Sequence, residues 1–235
     1  MVNICCSPPD NTPPNTSILF FKLGNKSNAS SEIEYNDTWA IRLGDEGRGV
    51  ATIIEMVHHT RLDCAVAAVG LQRQALTQAI HHANHRAVFG KKLINQPLMR
   101  NVLADLSVEY EANLSMVFRV AQAYDQTHSD SSSSFARLAV AVAKYWTNKR
   151  TANFIGEAME CLGGAGYIEE SILPRLYREA PLNGIWEGSG NVICLDILRT
   201  IHKEPHAIEQ LLAELSRAKG LSSTWDLEFR CFQDQ

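Results

Sequence analysis

The sequence predicts a mainly α protein, an antiparallel helical bundle with a short β-strand stub at its N-terminus. Three observations predict it. Apolar residues recur at helical spacing over three long stretches after Gly44. Strand-like alternation is confined to residues 17–43. Glycines 44, 47 and 49 punctuate the entry to the first helical stretch. The 235 residues allow one domain or one and a fraction. With 45% hydrophobic and 20% charged residues the composition is that of a globular chain.

Residues 1–16 hold Pro8, Pro9, Pro13 and Pro14 among Asn, Thr and Ser, and are expected to be disordered. Ser17–Phe21, Glu32–Tyr35 and Thr38–Leu43 read as short strands. Three such strands bury little by themselves, so residues 17–43 read as the remnant of a larger sheet. Leu62, Val66, Val69, Leu76 and Ile80 mark one face of a long helix over Val50–Asn84. A second helix starts at Pro97, a favourable first-turn proline, with Leu103, Leu106, Tyr110, Val117, Ala121 and Tyr124 on its buried stripe. The polar tract His128–Ser134 is expected to be a mobile loop. Phe135, Leu138, Val142 and Tyr145 open a third helix that ends near Cys161, before Gly163-Gly164. A fourth runs from Gly190 or Asn191 to about Ile201. Pro205 breaks it, and His206–Lys219 forms a last short helix. Residues 44–201 are thus the helical domain and 202–235 a helical tail. Helices joined by short loops argue an antiparallel bundle.

Charge narrows the partners. Lys and Arg number 22 against 26 Asp and Glu, a net charge of −4, which disfavours a nucleic-acid binder. No apolar run approaches the roughly 18–20 residues of a membrane span, and no secretion signal opens the chain. Cys64, Cys161 and Cys194 sit among apolar neighbours and read as buried thiols, suiting a reducing, cytoplasmic setting.

Three segments carry candidate chemistry. In Glu160–Glu179 a Gly-Gly-x-Gly cluster follows a helix. It is either a helix stop needing positive φ or a backbone that approaches an anionic ligand. In Gly184–Asn191 (GIWEGSGN), Glu187 lies beside Ile185 and Trp186, and Ser189 is placed to cap a helix whose N-terminus favours phosphate. Desolvation against Trp186 would make Glu187 a better base; otherwise it is a loop carboxylate near a helix start. In Arg86–Gln96, Arg86 and Phe89 either clamp a phosphate and stack on a ring or belong to a plain inter-helix loop. Gly44–Gly49 lacks dinucleotide spacing. His81 and His85 lie at i, i+4 without a further ligand, so no metal site is assigned.

In combination these segments resemble the C-terminal helical domain of the acyl-CoA dehydrogenase family. The carriers are Glu160-x-x-Gly163-Gly164-x-Gly166-Tyr167-x-x-Glu170, with Arg175 and Glu179 beyond; Arg86-x-x-Phe89-Gly90; and Trp186-Glu187-Gly188. The wording of KLGNKSNASSE, RAVFGKKLINQPLMRNVL and LPRLYREAPLNGIWEGSGN is similar to an AidB-like branch. The resemblance implies FAD and an acyl-CoA substrate, desaturated between its α and β carbons with Glu187 as the base. Arg61 is expected on the substrate side. Trp186, Gly188, Ser189, Gly190 and Asn191 are expected to meet FAD in the same protomer. Arg86, Phe89, Glu160, Gly163 and Gly164 are expected to meet a neighbouring protomer's FAD, which implies a homo-oligomer, a dimer of dimers. Glu160 stands where many members have Gln, and Ser189-Gly190-Asn191 replaces the commoner Thr-Ser-Gln. The family's N-terminal helical domain and most of its middle β-domain have no counterpart, so residues 17–43 are expected to be a remnant of that β-domain in a truncated chain. A non-catalytic helical oligomerisation fragment is the alternative.

Overall fold

The computed structural model describes residues 4–5, 15–35, 39–126 and 130–234. Before the helices lie two separate two-stranded antiparallel ladders. Asn15–Leu19 (β2) pairs with Ser31–Glu34 (β3), with a bulge between Thr16 and Ile18, while Ile4–Cys5 (β1) pairs with Ile41–Arg42 (β4). Strand therefore begins within the segment expected to be disordered, at Ile4–Cys5 and Asn15–Thr16. The remainder of that segment lies outside the described residues. Of Thr38–Leu43 only Ile41–Arg42 is strand, and Thr38 lies outside the described residues.

Helix α1 spans Gly49–His85, α2 Pro97–Asp125 and α3 Asp130–Leu162. Between α1 and α2, Ala87–Val88 (β5) and Lys91–Lys92 (β6) close a small hairpin. Helix α3 starts inside the tract expected to be a loop. Asp130–Ser134 are helical, and His128 lies outside the described residues. Asp and Ser are favoured at helix N-termini, where they satisfy free amides, so a polar tract can open a helix as readily as leave one. Then come α4 (Leu173–Glu179), α5 (Gly190–Lys203), α6 (Pro205–Ser216) and α7 (Ser223–Gln233). Neither α4 nor α7 was expected from periodicity, each being too short to show one.

The core lies where α1 packs on α3 and α2. The face of α1 turned inward is alanine-rich: Ala65, Ala68, Ala75, Ala79 and Ala83 are fully buried, with Val69 and Leu76 between them. Small side chains let helix backbones approach closely. Val66, expected on that face, is 49% exposed. The inner face of α3 also carries polar groups. Lys144, Thr147, Asn148 and Thr151 are buried at i, i+3, i+4 and i+7. Gln72 Nε2 donates to Thr151 Oγ1 at 2.9 Å and Asn113 Nδ2 to Gln72 Oε1 at 3.1 Å, which ties α1, α2 and α3 together in the interior. Buried polar groups need such partners, and Gln72, Asn113 and Thr151 have them.

Cys64 and Cys161 are buried, and burial pushes both thiols up, Cys161 to about 11. Cys194 is exposed on α5, contrary to the sequence expectation, because its helical register faces away from α3.

Candidate active site

The turn Trp186–Gly188 lies between a 3-10 turn at Leu182–Gly184 and the start of α5. Its backbone is left-handed at two successive residues, φ +57° at Glu187 and +106° at Gly188. A glutamate held there costs on the order of 1–3 kcal/mol, so its surroundings must enforce the conformation. Two buried cations do so. Lys144 Nζ donates to the carbonyls of Trp186, at 2.9 Å, and of Gly188. Arg61 Nε donates to the carbonyl of Glu187 at 3.1 Å. Lys144 is 2% exposed and Arg61 7%. Gly188 is required twice over: a Cβ would meet Ile193 Cδ1 at 3.2 Å, in a conformation side chains rarely adopt.

Behind the turn lies a buried ionic cluster. Asp196 on α5 accepts from Arg61 Nη1 at 2.6 Å and from Arg137 Nη1 and Nη2 at 3.1 and 2.9 Å. Burial opposes its ionisation, but the hydrogen bonds from Arg137 and Arg61 outweigh that and hold its carboxyl below the ordinary range. His58, three positions before Arg61, is pushed down to about 4, first by burial and then by the Arg137 and Arg61 charges. Burial likewise lowers the Lys144 ammonium, and the Glu187 carboxylate opposes the shift.

Arg61, expected on the substrate side, donates through Nε to the Glu187 carbonyl and through Nη1 to Asp196. The apolar enclosure of Glu187 is only partial: Ile185 is 65% and Trp186 38% exposed, and Glu187 itself is half-buried. The indole of Trp186 is fixed by Nε1–H donating to Asn183 Oδ1 at 2.8 Å. Ser189 occupies the N-cap position of α5, but its hydroxyl does not cap. The first-turn amides of α5 are therefore not closed off by it. A Cβ on Gly190 would lie 2.7 Å from Lys149 Cε, so a lysine stem stands against this helix start.

The remaining candidates form a second group. The β5–β6 hairpin turns through Phe89 (φ +51°) and Gly90 (φ +75°), a two-residue turn left-handed at both positions. Phe89 is 98% exposed there and Arg86 is exposed beside it. Glu160, Gly163 and Gly164 are exposed at the end of α3. Gly163 has φ +61°, while Gly166 is needed for close approach, since a Cβ would sit 2.3 Å from the Met159 carbonyl oxygen. The helix-stop reading thus accounts for these two glycines. Because α1 at Arg61 and α3 at Lys144 both reach the Glu187 turn and join again further along at Gln72–Thr151, they run the same way. Arg86 is 25 residues beyond Arg61, about 37 Å along a helix. The structure therefore separates the candidates along the bundle: Arg61 and Trp186–Asn191 lie against the first halves of α1 and α3, while Arg86, Phe89, Glu160, Gly163 and Gly164 lie at the C-terminal ends of those helices.

Lys144, Arg137, Asp196 and His58 were not among the sequence candidates. The available signal was a lone charge inside an apolar run, as Lys144 stands in AVAVAKYW and Asp196 in VICLDIL.

The helical bundle thus holds a carboxylate-bearing turn in a left-handed conformation against two buried cations, beside a helix start that Ser189 does not cap. The match to known proteins is direct. Residues 47–202 match the family described as acyl-CoA dehydrogenase, C-terminal domain. The chain is 45% identical over 214 residues to AidB of Escherichia coli (strain K12), covering 91% of this chain and 40% of that protein. It is 32% identical over 209 residues to acyl-CoA dehydrogenase family member 11 of Caenorhabditis elegans, covering 87% of this chain and 34% of that one. The crystal structure of Caenorhabditis elegans ACDH-11 in complex with C11-CoA superposes with a TM-score of 0.83 at 31% identity, over 93% of this chain and 38% of that one. This chain belongs to the acyl-CoA dehydrogenase family, of which it carries the C-terminal helical domain. It spans less than half the length of these relatives. No helix among the described residues is long and apolar enough to cross a membrane.

Proposed function

We propose that this chain supplies the base and part of the cofactor surface of an FAD-dependent acyl-CoA dehydrogenase acting on the α,β carbons of a thioester. The observation that carries the reading is the strained turn of Glu187, fixed by Arg61 and Lys144 at the start of α5. Glu187 takes the α-proton of the acyl chain onto its carboxylate as the α C–H bond breaks. When bound, FAD supplies the acceptor for the hydride that leaves the β-carbon. A groove of about 390 Å³ beside Trp186, between α1, α4 and residues 25–27, offers the acyl-CoA a place next to the turn.

The residues present fit part of such a cofactor. The uncapped amides of α5 and the lysine against Gly190 suit an anionic group. Trp186, Gly188, Ser189, Gly190 and Asn191 would face it in the same protomer. Phe89 is fully exposed on a strained turn, and Arg86, Glu160, Gly163 and Gly164 share its end of the bundle. The roughly 37 Å along α1 between the two groups supports the reading that the second serves a neighbour's cofactor, within a homo-oligomer. A ferricenium reduction assay on the purified chain with added FAD and a series of acyl-CoAs tests this. Turnover well above a Glu187→Gln control is expected; equal rates would overturn it.

A second reading is favoured by the apolar positions Val192, Leu195 and Leu198 on α5, which are 49%, 62% and 63% exposed. It makes the chain a non-catalytic helical module that self-associates. A colourless protein that elutes as an oligomer after FAD addition would select it.

A further inference from the structure

We propose that Lys144 is a positioning residue, aiming the Glu187 carboxylate by bridging the carbonyls on either side of it; this rests on Glu187 being the base. The Trp186 carbonyl belongs to the peptide plane before the Glu187 Cα, and the Glu187 carbonyl to the plane after it. Each peptide plane is rigid, so holding both sets φ and ψ at Glu187 and with them the direction of its Cβ. Lys144 holds the first of these planes and, through Gly188, the plane beyond; Arg61 holds the one between.

The two cations differ in a way that separates aiming from support. The charge of Arg61 is matched by Asp196, so that pair also anchors α1 to α5. Among the described residues no carboxylate is bonded to Lys144, and its ammonium donates to the two carbonyls. A fully buried ammonium with no carboxylate hydrogen-bonded to it is costly to keep, and a methionine would fill the same space without that cost. What the lysine adds at hydrogen-bonding distance is its hold on the turn.

The test uses the full chain with Lys144→Met and Lys144→Gln, the latter keeping an N–H₂ group without the charge. Hydrogen exchange at the Glu187 and Gly188 amides is expected to rise roughly tenfold or more in Lys144→Met and by less in Lys144→Gln. Exchange across the Ala65–Ala83 core should stay as in the wild type. With acyl-CoA and FAD, kcat should fall about 10²-fold at little changed KM. Unchanged turn exchange, or equal loosening of turn and core, would overturn the proposal. If Lys144→Met fails to fold, Lys144→Gln is read by the same criteria. If the turn loosens as expected while the wild type does not outpace Glu187→Gln, it is the base assignment that falls and the clamp that stands.

Discussion

Arg61 donates to the main-chain carbonyl of Glu187 at 3.1 Å, a contact made across 126 positions of sequence. The same guanidinium closes on Asp196 of α5, so one side chain joins the first long helix, the strained turn and the helix that follows it. Replacing Asp196 by Ala leaves Arg61 buried and Arg137 half-buried without their counter-charge. A loss of about 3–5 kcal/mol is expected in urea denaturation. Arg42–Glu46, an exposed pair, should be nearly silent in the same measurement.

The ionic cluster also sets an acid limb. His58 sits at about 4 in the folded chain against an ordinary value near 6.5, with Arg137, Arg61, Asp196 and His59 around it. The unfolded chain binds the extra proton first, so stability falls as pH drops through the window from 6.5 to about 4. Asp196, held low in the fold, adds a further loss only at lower pH, as its carboxyl protonates through its folded value. His58→Gln should flatten the upper part of this limb and leave the lower part. Thermal melting across pH checks it.

The glycine cluster after α3 makes a contrast within three residues. Gly166→Ala drives a Cβ against the Met159 carbonyl and should cost more than about 2 kcal/mol, or prevent folding. Gly164→Ala meets nothing within 4 Å and should change the melting temperature little. Equal effects would contradict the close approach seen at Gly166.

Phe89 carries strain with no packing to compensate it. Phe89→Asn, a residue more tolerant of positive φ, should stabilise the isolated chain by about 1 kcal/mol. Under the proposed function the same change weakens FAD retention in the oligomer, read by flavin absorbance after gel filtration. A gain in stability with flavin unaffected would remove Phe89 from the cofactor surface.

The long helices were legible because each repeats its apolar spacing over many turns. The stub strands were legible in kind, although one began earlier and another was shorter than expected. The interior of α3 was harder to read, because Lys144, Thr147, Asn148 and Thr151 at helical spacing look like a solvated face. Only the tertiary partners, Gln72 and the 186–188 carbonyls, reveal that the stripe points inward. Glu187 was visible as a carboxylate beside an indole. What holds it was not, since Arg61, Lys144 and Asp196 are distant in sequence and meet only after the helices pack.

The interior amide–hydroxyl ladder of Asn113, Gln72 and Thr151 acts like the teeth of a ratchet. Sliding α1 by a single turn, a move that alanine surfaces would otherwise tolerate, breaks both bonds and strands the Asn113 and Gln72 amide donors, and sliding α2 or α3 strands one of them. Drift at these positions must therefore be concerted: one rung cannot turn apolar while the other two remain.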